Sequence, residues 1–205
     1  MSISISGTGG VANSAMELVG KTSWTSNTSS VTFNFDSTKY EQYLLYWWID
    51  HNPSWTWTTA RFRTAGADIT SSTYAFGTEW HPSGAAAGTS GATFNGATGM
   101  ASPNGTGGNA RSLIWLAGNG STFDSHGWGQ IIVPTASGFY PVIRVQSTLI
   151  ERAYGDSQTY NERGWGTNNS VTSNNITGIT IRAGEGGSSR RGMVSLVGIK
   201  KNPQN

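Results

Sequence analysis

Short runs of alternating apolar and polar residues recur along this chain, and no run of a dozen residues carries the 3.6-residue apolar stripe of a helix. Gly, Pro or β-branched residues interrupt every stretch long enough to hold one; only residues 12–20 read as one short helical turn. Strand patterns are frequent. Val31, Phe33 and Phe35 alternate with Thr32, Asn34 and Asp36, which predicts a half-buried strand. Residues 58–63 place Ala60 and Phe62 inward and Arg61 and Arg63 outward. Residues 43–50 (YLLYWWID) are apolar on both faces, which predicts a central strand or one covered by a neighbouring subunit. Further strands are expected at 111–116, 127–133, 139–150, 176–182 and 192–199, separated by turn clusters such as Gly118-Asn119-Gly120. About eight strands with no helical crossovers predict an all-β fold, an antiparallel jelly-roll-like β-sandwich.

A chain of 205 residues suits one such domain. Residues 1–16 read as an N-terminal arm and residues 17–205 as a single sandwich domain. Within it, small residues dominate 77–109, and so long an excursion reads as an arm that packs on another subunit.

Charge excludes several partners. Charged residues make up 12% of the chain, about half the usual share, and 13 Lys and Arg against 11 Asp and Glu leave a net charge of only +2. Hydroxyls, amides and backbone then carry the solubility, and the field is weak for nucleic acid or anionic lipid. The opening MSISISGTGGVANSAM has neither a basic n-region nor an apolar h-region, so it does not read as a signal peptide. No apolar run has the length of a membrane span, so no membrane insertion is expected. With no cysteine there is no disulfide framework and no thiolate metal site.

Catalytic patterns are weak. His51, His81 and His126 show no metal-ligand spacing, no DxDxDG loop is present, and no G-x-S-x-G elbow presents a nucleophile. Composition resembles that of small xylanases, but a glycosidase needs two carboxylates facing each other across a cleft. Glu151 and Glu162 are the least implausible pair, yet each adjoins an arginine (Arg152, Arg163), which reads as exposed ion pairing. No catalytic residue, metal ligand or cofactor is therefore predicted.

The nine tryptophans are the strongest functional signal. Trp47 and Trp48 are consecutive in one strand, so only one of them enters the core. Tyr46 and Trp48 share the other face and are candidates for a subunit interface. Trp55 and Trp57 also share a face and, with Trp80, are candidates for a glycan contact, since Trp offers a broad apolar body with one donor.

Several segments carry a family likeness: Glu17-Leu18-Val19, Ser29 to Phe33, Tyr43-Leu44-Leu45, the run from Arg61 to Gly66, and the closing Ile176 to Ile181 and Val194 to Lys200. In these the chain resembles the small Gly/Ser/Thr/Asn-rich jelly-roll virion proteins of tailed bacteriophages. The resemblance implies a non-enzymatic homotrimer on the exterior of a phage particle, made in the host cytoplasm. It implies a tail-fibre or baseplate-associated module for host adhesion, with other virion proteins and a host-surface glycan as partners. A capsid decoration (cement) protein, attached to the major capsid protein, is the alternative, and a free lectin-like module is a third reading.

Overall fold

Alternation along residues 30–34 becomes alternation of burial. Val31 and Phe33 are buried while Ser30, Thr32 and Asn34 face out. The computed structural model of the chain describes residues 15–51, 56–70, 73–83, 91–95, 114–120, 123–151, 158–183 and 188–201. In chain order the strands are β1 (Met16–Trp24), β2 (Ser30–Asn34), β3 (Tyr40–His51), β4 (Thr56–Thr64) and β5 (Ala67–Asp68). There follow β6 (Tyr74–Ser83), β7 (Gly91–Asn95), β8 (Ile114–Gly120), β9 (Phe123–Ile132) and β10 (Val142–Glu151). The chain closes with β11 (Gln158–Asn168), a single 3-10 turn at Ser173–Asn175, β12 (Ile176–Ala183) and β13 (Ser189–Lys200).

Every pairing between these strands is antiparallel. The larger sheet has eight strands in the order β1-β13-β3-β9-β10-β11-β6-β7, and the smaller runs β2-β12-β4-β5, with β8 also paired to β4. The last two strands each insert between two early ones, β12 between β2 and β4, and β13 between β1 and β3. One apolar core lies between the sheets. Tyr43, Leu45, Trp47 and Ile49 of β3, with Ile131, Ile143, Val194 and Leu196, meet Val31, Phe33, Ala60, Phe62, Ile179 and Ile181 of the smaller sheet. The architecture is thus all-β and sandwich-like.

Buried polar groups join the core to its edges. Tyr74 Oη accepts the Phe62 backbone N–H at 2.9 Å and lies 3.2 Å from the Ile69 carbonyl, to which it donates. This ties β6 to the β4–β5 hairpin, whose tip holds Ala65 (φ 47°) and Gly66 (φ 82°), the two positive φ angles of a tight hairpin turn. Tyr74→Phe strands the Phe62 N–H inside the protein. We expect it to lose about 1–3 kcal/mol with an unchanged denaturant m-value, measured by urea unfolding.

Several sequence expectations need correction. Residues 16–20, expected in a helical turn, belong to β1, because β13 offers a ladder from Met16↔Ile199 to Trp24↔Gly192, with one register shift between Leu18 and Gly20. Residues 12–14 of that turn, and all but the last two residues of the 1–16 arm, lie outside the described residues. The 77–109 excursion is not one irregular arm. Its 77–83 part belongs to β6 and its 91–95 part is β7, so both extend the large sheet; the remainder lies outside the described residues. Gly118-Asn119-Gly120, read as a turn, ends β8, where Gly120 pairs with Thr56. β10 begins at Val142 rather than at residue 139. Arg61 does point away from Ala60 and Phe62, yet it is only 7% exposed. Glu162 is not a surface residue paired with its neighbour: it turns inward, where Ser147 Oγ donates to it at 3.4 Å, while Arg163 lies on the outer face.

Candidate functional site

Central position in a sheet normally buries both faces or leaves the outer one polar. Here the outer face of the eight-stranded sheet is aromatic. β3 sends Tyr43, Leu45, Trp47 and Ile49 inward, so the pleat turns Leu44, Tyr46 and Trp48 outward. Tyr46 is 42% exposed and pairs directly with Trp128 of β9, itself 45% exposed. One strand further on, Gln146 of β10 pairs with Trp128, and beyond it stands Arg163 of β11. The next transverse row reads Leu44, Gln130, Arg144 and Trp165. Trp165 is 44% exposed.

Trp128 and Trp165 therefore stand on either side of β10, two strand spacings or roughly 10 Å apart across the sheet. Between them lies an open groove of about 590 Å³, lined by Val142, Arg144, Gln146 and Arg163 besides the two indoles. Apolar walls with a few convergent planar donors on the floor are the features of a small-ligand site. Exposed indole faces suit the C–H face of a sugar ring, and amide and guanidinium groups suit its hydroxyls.

The indoles point outward because of their neighbours. Each sits in the same tripeptide, Gly127-Trp128-Gly129 and Gly164-Trp165-Gly166. The glycines flanking Trp128 take inner positions where space is short. A Cβ on Gly127 would lie 2.5 Å from Trp47 Cζ2 and 2.5 Å from the Gln146 carbonyl oxygen. A Cβ on Gly129 would lie 3.1 Å from the Arg144 carbonyl.

Of the residues singled out from sequence, Tyr46 and Trp48 lie on this face. Trp48 is half-buried, with the Arg191 guanidinium 5.6 Å from its ring centre, and Asp50 holds that guanidinium at 2.9 Å. Trp57 and Trp80 belong to different sheets, Trp57 to β4 and Trp80 to β6 at the register position opposite Glu162. Trp55 lies outside the described residues. Trp128 and Trp165 were not singled out, although the repeated Gly-Trp-Gly tripeptide marks them both.

A second cluster is internal. His51 Nε2 lies 2.9 Å from Thr58 Oγ1, which lies 2.8 Å from Ser125 Oγ, and all three side chains are fully buried. Burial pushes the His51 imidazole down to about 4, against the smaller opposing pull of Asp50. The cluster links β3 and β9 of one sheet to β4 of the other. In the β10–β11 register Glu162 stands opposite Ser147, four residues along β10 from Glu151, or roughly 13 Å of backbone. Among the described residues, no three His, Asp or Glu side chains gather in a way that holds a metal ion.

Compared with known proteins, the chain matches no family model, no curated protein and no solved structure.

Proposed function

We propose that this protein is a non-enzymatic adhesion module that binds a surface glycan through the Trp128–Trp165 groove, displayed as a trimer on the exterior of a phage particle. The observation that carries the binding role is the groove itself: two outward indoles across one strand, with Arg144, Gln146 and Arg163 between them. Solvated outer sheet faces do not hold such side chains without a use, since exposed aromatic patches mark interaction sites. The virion setting draws on the resemblance described above, and the strand order supports its fold. We read β1-β13-β3-β9 opposite β2-β12-β4-β8 as a jelly-roll-like order, an architecture common to capsid and lectin domains. Here β6, β7, β10 and β11 widen the larger sheet, and β10 and β11 build the groove together with β9.

Trp128→Ala and Trp165→Ala are each expected to weaken binding to host cells or purified host-surface glycan about tenfold, with stability changed by less than about 0.5 kcal/mol. Surface plasmon resonance and thermal melting check both halves. Binding that survives the double substitution would remove the groove from the function.

Capsid decoration is the second reading, favoured by one feature. The edge strand β1 exposes Met16 (52%) and Leu18 (61%), an apolar edge suited to a protein neighbour such as a second copy or a shell protein. Copy number on the particle separates the roles: hundreds of copies mean decoration, and a few dozen at most mean a tail or baseplate component.

A further inference from the structure

The ligand class of the groove follows from how the arginines of this protein are distributed. On the smaller sheet, Asp68 of β5 neutralises two of them, lying 3.5 Å from Arg63 Nε and 3.3 Å from Arg182 Nη1. At the end of β3, Asp50 neutralises two more, lying 3.7 Å from Arg190 Nε and 2.9 Å from Arg191 Nε. The groove arginines are different. Arg144 is exposed, and its register partners are Gln130 on one side and Trp165 on the other, neither of them acidic. Arg163 is exposed as well, with Gln146 on its β10 side and Glu79 at the register position on its β6 side. Among the residues whose side chains are described, no carboxylate forms an ion pair with Arg144 or Arg163. A groove lined with these two guanidiniums, and with no acid in its lining, is complementary to an anion.

The shape of the anion is constrained too. Trp128 and Trp165 are large exposed apolar side chains lining the groove, so the ligand must present a ring face beside its charge. A planar guanidinium pairs with a carboxylate through two parallel N–H···O bonds, which a sugar hydroxyl does not reproduce. We propose that the groove is specific for acidic saccharides, with the carboxylate of a uronate- or sialate-type residue on Arg144 and the ring stacked on an indole. Arg163 and Gln146 then contact the neighbouring hydroxyls. The inference rests on the glycan-binding reading given above and adds the charge of the ligand.

The test is an array of uronate- and sialate-containing oligosaccharides, each printed beside its carboxyl-reduced, neutral counterpart, probed with the full chain. The expected result is at least a tenfold preference for the acidic member of some pair, weakening as salt rises from 50 to 500 mM (about 14 to about 4 Å Debye length). Arg144→Gln is expected to abolish that preference, and Arg163→Gln to reduce it less, because Arg163 has Glu79 at its outer flank. Both side chains are exposed, so thermal melting should be unchanged in either variant. Equal binding of acidic and reduced forms that still needs Trp128 would overturn the acidic assignment and leave glycan binding standing. An acidic preference untouched by Arg144→Gln would move the anion out of this groove. Binding to no member of the array would overturn both readings.

Discussion

Acidification from pH 7 to pH 4 is expected to remove about 3 kcal/mol of folding stability through His51 alone. His51 ends β3 with its ring fully buried, Nε2 against Thr58 and Nδ1 without a hydrogen-bond partner. A proton added there becomes a buried charge, and burial accordingly drives the group from its ordinary 6.5 to about 4. The unfolded chain accepts the proton near 6.5 and the folded chain resists it. The contribution is therefore complete above pH 6.5 and is lost as pH falls to about 4. Carboxylates act in a separate window. Glu41 is held below its usual value chiefly by the Thr135 hydroxyl and then by the Thr135 N–H. Its contribution is present above about 4.5 and lost only as pH falls further. Urea midpoints between pH 7 and 4.5 isolate the histidine. The wild-type curve should fall across that range, and His51→Gln, although less stable at pH 7, should be flat. A flat wild-type curve would mean that His51 is solvated in the folded protein.

Gly127→Ala is expected to cost about 3 kcal/mol, at the upper end for overpacking. Gly127 pairs with Trp47 across β3 and β9, and the indole lies over it. The new methyl would meet Trp47 Cζ2 at 2.5 Å and the Gln146 carbonyl at 2.5 Å. One of these is a ring held in the core and the other is ladder backbone, so neither yields cheaply. Gly192 repeats the arrangement under Trp24, with a Cβ 2.5 Å from Trp24 Cζ2. Shrinking the ring should relieve part of the clash. Trp47→Leu combined with Gly127→Ala should therefore be more stable than the sum of the single losses by 1 kcal/mol or more, on the order of pairs in contact. Strict additivity in denaturant unfolding would mean that the Trp47 ring does not occupy the Gly127 hollow. The same substitution bears on the groove, because Trp128 is the next residue and any shift of β9 moves it.

Strands with clear alternation were legible from residues alone. β2, β4, β12 and β13 fall where Val31 to Phe35, Ala60 and Phe62, Ile179 and Ile181, and Val194 to Ile199 announce them. Period-2 alternation is a local property, and burial against the facing sheet preserves it. β1, β6, β7 and β11 were not legible. Their residues are polar, glycine-rich or unpatterned, as in QTYNERGWGTN, and they are strands because a neighbour supplies the ladder. β11 is held on both sides, by β10 and β6, and a paired backbone tolerates side chains that would not choose a strand by themselves.

The candidate site divides along the same line. Sequence alone determined that one of Trp47 and Trp48 had to leave the core and that Tyr46 would share the face of Trp48. Each of these follows from the strand period and needs no partner. Only the tertiary structure decided which tryptophans line a groove. Trp128 and Trp165 are far apart in the chain and become neighbours across β10 because two hairpin registers, Trp128↔Gln146 and Arg144↔Trp165, bring them there. Register is set by pairing between strands, and a shift of one residue would turn both indoles inward.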